Sequence, residues 1–190
     1  MVKNGDIRSA QFSFLPTGSG FGWTKGSSSG GGSGNGNGET FTSIAAMETW
    51  LSAQPDNTTA TAYTVKLNVS DLGGRYDTSG SVGYVLKANS TKYVYLDLSG
   101  STITSIGGDA FMYASLTSIT VPNSVTAIYH DAFQGCTSLT SVTFEGTITY
   151  FDPSSTFPGD LRTKYLATGG GIGTYTRPSG TSNTWTKQQG

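Results

Sequence analysis

Apolar and polar positions alternate in the middle of this chain on a repeating schedule. In LTSITVPNSVTAIYHDAFQGCTSLTSVTF (116–144), LTSIT at Leu116 returns as LTSVT at Leu139, a period of 23 residues. One period earlier, YVYLDL opens at Tyr93. Tyr93, Leu96 and Leu98 share offsets with Leu116, Ile119 and Val121, and with Leu139, Val142 and Phe144. Offsets of three and then two predict a short strand with three side chains inward and the intervening Ser and Thr outward. Pro122 ends such a strand because it has no N–H to donate. A second apolar run, Ile103, Ile106, Ala110 and Phe111, recurs as Val125, Ile128, Ala132 and Phe133 and predicts a return leg. There Asp131–Phe133 is expected to make one helical turn. No single unit can bury both runs, so neighbours must stack.

The flanks read as covers for that stack. In 39–92, Ser43 is placed to cap a helix with Ile44, Met47, Trp50 and Leu51 on one face. Tyr63–Ser70 alternates with Val65, Leu67 and Val69 inward, which aligns Val69 with Leu98 and predicts a first rung. Ser81–Ala88 predicts a second short helix using Val82, Val85 and Leu86. The period stops after Phe151. In 152–190, Asp160–Ala167 predicts a helix burying Leu161, Tyr165 and Leu166, and GTYTR and TWTK predict short strands. A period in the twenties with an L-x-x-L-x-L core marks leucine-rich repeats. The expected fold is α/β: a short leucine-rich-repeat solenoid of about two and a half units over 93–151, with a helical N-terminal cap and a mixed C-terminal cap.

LTSITVPNSVTAIYHDAFQGCTSLTSVTF also resembles the BspA-like leucine-rich repeats of treponemal and related bacterial surface proteins. TSIAAMETWLSAQPDNTTATAYTVKLNVSDLGG before it, and FPGDLRTKYLATGGGIGTYTRP with TWTK after it, resemble the flanks of treponemal members. The resemblance covers Glu39 to Lys187. It implies a secreted or surface-exposed protein used in adhesion and in contact with a host or partner, without catalysis.

Ahead of this region, 1–25 contains no secretory apolar core, because Ser, Gln and Arg interrupt every apolar stretch. Ala10, Phe12 and Phe14 alternate with Gln11 and Ser13, as in a strand. With Leu15, Phe21 and Trp23 they read either as a disordered start or as an arm that docks on a neighbour. The run 26–38 is a Gly/Ser linker spanning roughly 20 Å r.m.s.. Its G-x-S-x-G match lacks the strand and helix that a nucleophile elbow needs, and Gly169–Gly171 lacks the frame of a phosphate loop.

Composition narrows the function. Charged residues are 12% of the 190 and the net charge is −1, so no basic field exists to hold nucleic-acid phosphates. No apolar run approaches the ~20 residues of a membrane span. The single cysteine, Cys136, has no internal disulfide partner, and the single histidine, His130, rules out a His-rich metal site. Cys136 reads as a core residue, the scattered Asp and Glu as solvated surface, and no cofactor is expected. Asn57, Asn68 and Asn89 open formal glycosylation triplets of the kind that arise by chance.

What remains is surface. Lys66 and Asn68, Tyr95 and Asp97, Ser118 and Thr120, and Ser141 and Thr143 are expected to stack into a flat polar face for a protein or glycan. The sequence thus supports a non-catalytic recognition or adhesion module. The alternative is a structural subunit of a filament, virion or appendage, a homo-oligomer held to its neighbours by Phe12, Phe14, Leu15, Phe21 and Trp23.

Overall fold

Short strands, paired side by side and running in one direction, carry the fold. The computed structural model describes residues 38–154 and 156–189; Phe12, Phe14, Leu15, Phe21 and Trp23 lie outside the described residues. The order is β1 (Glu39–Phe41), α1 (Ile44–Ala53), β2 (Tyr63–Leu67), α2 (Val82–Ala88), β3 (Val94–Asp97), β4 (Ser105–Ile106) and β5 (Leu116–Val121). It continues with β6 (Ala127–Ile128), β7 (Ser141–Phe144), β8 (Tyr150–Phe151), α3 (Leu161–Leu166), β9 (Gly173–Thr176) and β10 (Thr186–Lys187). The main sheet runs β1-β2-β3-β5-β7-β9-β10, and a second sheet runs β4-β6-β8. All pairs are parallel except β7–β9 and β9–β10.

The two predicted apolar runs map onto the two sheets. Leu96, Ile119 and Val142 are cross-strand partners in the main sheet. Ile106, Ile128 and Phe151 are partners in the second. Every one of these is buried, so the core lies between the sheets and each unit supplies one wall segment to each side.

Beyond the second sheet, a column of aromatic rings ties the units together. Phe111 stacks on Phe133 at 5.1 Å and 21°, and Phe133 on Phe157 at 4.2 Å and 12°. The backbone follows: Phe111 N–H donates to Ala132 O and Phe133 N–H to Thr156 O, each at 2.8 Å. Phe157 is therefore the third member of the column, and the repeat runs past Phe151, where the sequence period appeared to stop. The spacing grows from 22 residues (Phe111 to Phe133) to 24 (Phe133 to Phe157), which breaks the numerical pattern while the stacking continues.

Three further expectations shift by a residue or two. Val94, not Tyr93, pairs with Leu116, and a bulge separates Val94 from Tyr95. The extra residue, Thr117, turns inward and donates its hydroxyl to Val94 O at 3.2 Å. In β2, Val65 pairs with Leu96, so Leu67 rather than Val69 sits beneath the first rung, and Val69 is half-buried past the strand end. Asp131–Phe133 is a turn, not a helical one. Asp131 and its counterpart Asp109 take φ of 51° and 57°, a left-handed conformation that a short polar side chain tolerates and that a helix forbids.

Both helices on the amino-terminal side form as their caps predict. Ser43 Oγ accepts from Ala46 N–H at 3.2 Å and Ser81 Oγ from Tyr84 N–H at 3.0 Å. α1 buries Met47 and Leu51, and its Trp50 packs between Phe41 and Tyr63 at 5.5 Å from each ring. α2 lies so close to the turn after β4 that a Cβ on Gly83 would stand 1.8 Å from the Ala110 carbonyl oxygen. On the other side, α3 buries Leu161 and Tyr165 but leaves Leu166 exposed, because a six-residue helix has one inward stripe and the (i, i+4) pair fills it. Arg177, buried without a carboxylate beside it, satisfies its guanidinium on the carbonyls of Leu139, Ser182 and Cys136 and covers Trp185.

Cys136 completes the core. Its thiol donates to Phe111 O at 3.0 Å, and burial pushes its pKa up to about 12. The unfolded thiol ionises near pH ~8.5, so above that pH the native state holds a proton that the unfolded chain has lost, and stability falls as pH rises.

Two outcomes follow from this core. Phe133→Ala and Phe157→Ala should each cost ~3–5 kcal/mol in urea denaturation, whereas Leu166→Ala should stay within about 0.5 kcal/mol. An inert Phe157→Ala would remove the third unit from the column. The stability gap between the parent and Cys136→Ala should narrow as pH rises from about 8.5 towards about 12; a constant gap over that range would place the thiol outside the apolar interior.

Candidate binding faces

Alternation along the parallel strands gives the main sheet an outward side built of two rows. One row is Thr64, Tyr95, Ser118, Ser141 and Thr176; the next is Thr40, Lys66, Asp97, Thr120, Thr143 and Thr174. Strands lie ~4.8 Å apart, so each row places polar side chains at that interval, every one of them a hydroxyl in the first row. Seven of the eight face residues expected from sequence are brought together. Asn68 is the exception: it lies beyond the end of β2, packs against Gly100, and its Oδ1 is buried without a hydrogen-bond partner. Lys66 takes the place beside Asp97 expected of Asn68, and Thr64 the place beside Tyr95 expected of Lys66.

The face is tied together laterally. Lys66 Nζ lies 3.6 Å from Asp97 and donates to Ser99 Oγ at 3.2 Å. Tyr95 OH and Thr120 Oγ1 are 2.9 Å apart, as are Thr143 Oγ1 and Thr174 Oγ1. Thr120 is thereby covered, at 6% exposure. The hydroxyls of Ser118 and Ser141, adjacent and half-buried, have no protein partner among the described residues. Sequence reasoning missed Thr174 and Thr176, although T-Y-T has the same alternation as S-I-T and S-V-T. Those earlier strands join by period, and β9 joins by antiparallel pairing after the period ends.

The second sheet has a different outward side. Ser105, Ala127 and Tyr150 form one row. Gly107, Tyr129 and Asp152 follow, with Tyr129 N–H bonded to Ile106 O and Asp152 N–H to Ile128 O, both at 3.0 Å. The rings of Tyr129 and Tyr150 lie 5.3 Å apart at 45°. Tyr150 OH donates to Asp152 Oδ2 at 3.0 Å, which holds the phenol above its usual range. Asp152 Oδ1 accepts from Ser154 Oγ at 2.6 Å and from Ser154 N–H at 2.9 Å, which holds the carboxyl below its own. Beside this row opens a cleft of about 490 Å³ lined by Asp71, Arg75, Thr104, Ser105, Gly107 and His130, among others. Neither tyrosine stood out in the sequence, since an outward position carries no periodic signal.

The remaining chemistry is dispersed. His130 faces Asp109 at 3.9 Å, while Cys136 bonds a backbone carbonyl in the core, so the two do not meet. Among the described residues no group of three or more His, Cys, Asp and Glu is arranged for a metal ion, and no helix is long and apolar enough to cross a membrane. The amides of Asn57 and Asn89 are committed to backbone carbonyls at 3.0 Å and 2.9 Å, and Asn68 is half-buried against Gly100.

Comparison with known proteins agrees with the repeat. No curated protein and no solved structure matches the chain. Residues 88–162 match the family model described as BspA type Leucine rich repeat region, in 6 copies. The match extends past Phe151 and includes Phe157, as the aromatic column does. Stacked parallel strands occupy the same residues, so the structure and the family model agree on repeats of the BspA leucine-rich type over 88–162.

Proposed function

We propose that this chain is a non-catalytic adhesion module whose main-sheet face binds a protein on a cell or host surface. In this reading the repeats form a short solenoid, closed by 39–92 on one side and by 152–190 on the other. Repeats of the BspA type are in general surface-associated protein-binding modules. The observation that carries the reading is the pair of free hydroxyls, Ser118 and Ser141, in the middle of an otherwise tied polar face. A polar face held in register offers many short hydrogen bonds at little entropic cost, because its side chains are already ordered.

A second reading, a subunit of a larger assembly, is favoured by one feature. β1 begins at Glu39, directly after the Gly-rich run 26–38, and pairs only with β2 among the described residues. An open parallel edge accepts a further strand, and Phe12 and Phe14 alternate as such a strand would.

The readings separate cleanly. Ser118→Lys with Ser141→Lys, which sets two like charges on paired positions, should lower the melting temperature by only a few degrees yet abolish capture of the full chain by immobilised fibronectin, laminin, collagen or mucin in an interferometry panel. Undiminished capture by the double variant would remove the face from the adhesion reading. For the assembly reading, Phe12→Ser with Phe14→Ser should shift sedimentation towards a smaller species; identical sedimentation of both chains across concentration would eliminate it.

A further inference from the structure

The second sheet exposes aromatic surface that the core does not need. Tyr129 and Tyr150 are 41% and 47% exposed, while Ser105, Gly107 and Ala127, on the same side, are small. The pair therefore stands above a bare shelf. A Cβ on Gly107 would meet nothing within 4 Å, so the shelf is open backbone leading into the cleft of about 490 Å³. The rings are pre-positioned by each other and by the Tyr150–Asp152 hydrogen bond, which lowers the ordering cost of using them in recognition.

The chemistry of this surface selects a class of ligand. An anchor from a protein partner needs a desolvated apolar hole. The apolar residues lining the cleft, Leu72, Ile103 and Ala110, are only 7%, 3% and 2% exposed, so they form its base and leave no such hole. An anion needs a free cation. Arg75 is neutralised by Asp109 at 3.0 Å and Asp77 at 3.6 Å, and Asp71 adds another carboxylate to the lining. A pyranose ring meets both conditions: its C–H face suits a flat phenol ring, and its hydroxyl rim suits carboxylates and hydroxyls at fixed positions.

We propose that this side of the second sheet is a binding site for a neutral saccharide, with one ring on Tyr129 and Tyr150 and the next in the cleft over Ser105 and Gly107. The site is separate from the main-sheet face and stands or falls independently of it.

The test is a neutral and sulfated glycan array probed with the full chain, followed by NMR titration with cellobiose, maltose, lactose and chitobiose. At least one neutral saccharide should bind, and Tyr129→Ala and Tyr150→Ala should each weaken it by about tenfold or more. Gly107→Leu, which projects into open space and leaves the fold intact, should block the cleft and weaken binding comparably. Ser118→Lys with Ser141→Lys should leave saccharide binding unchanged, whatever it does to protein capture. Absence of any saccharide binding, binding indifferent to Gly107→Leu, or a preference for sulfated glycans over their neutral parents would each overturn the proposal.

Discussion

Parallel pairing in fixed register is the constraint on which the rest of this structure depends. Each unit is too short to enclose its own apolar residues, and only a neighbour displaced by one strand spacing completes its burial. Register decides which residues become inside and outside, because a slip of one residue would send Leu96, Ile119 and Val142 to solvent. The backbone enforces it locally, and the Phe111–Phe133–Phe157 column enforces it at the far end of the unit, where no strand pairing is available. A stack fixed at both its sheets and its turns holds its outward side chains in rows without any ligand to organise them.

The repeated part of the fold was legible from sequence because burial is repeated. Ile119 and Val142 answer the same packing need, so they recur at the same offset. What failed was counting. The bulge at Thr117 and the longer stretch before Phe157 each change the spacing without changing the environment, so the numerical period missed Val94 as a partner and Phe157 as a column member. β2 erred in the same way: its alternation was right, and its alignment with β3 was two residues off.

The outward surfaces proposed for binding were less legible, and for a physical reason. Core positions are constrained by neighbours, whereas outward positions are not. At one equivalent position of the second sheet stand Ser105, Ala127 and Tyr150. No repeat analysis finds an exposed tyrosine there, because the repeat does not require one. The main-sheet face was found only because its hydroxyls alternate with core residues that do repeat. Electrostatics separates the two sides as well: the main face carries its Lys66–Asp97 pair within the rows, and the cleft beside the second sheet neutralises Arg75 with carboxylates. The main face is thus balanced across its rows, whereas the cleft sets three carboxylates, Asp71, Asp77 and Asp109, around the one guanidinium of Arg75.

Register is open to direct measurement by disulfide trapping in a Cys136→Ala background. Ser118→Cys with Ser141→Cys places two cysteines on directly paired positions, about 4.8 Å apart between strands and within disulfide reach. Ser118→Cys with Thr143→Cys is off by two residues, roughly 8 Å away on strand geometry, and beyond that reach. Mild oxidation should close the first pair within one chain and leave the second reduced. Closure of the second pair in preference to the first would contradict the register, and with it the rows of side chains that both proposed binding faces rest on.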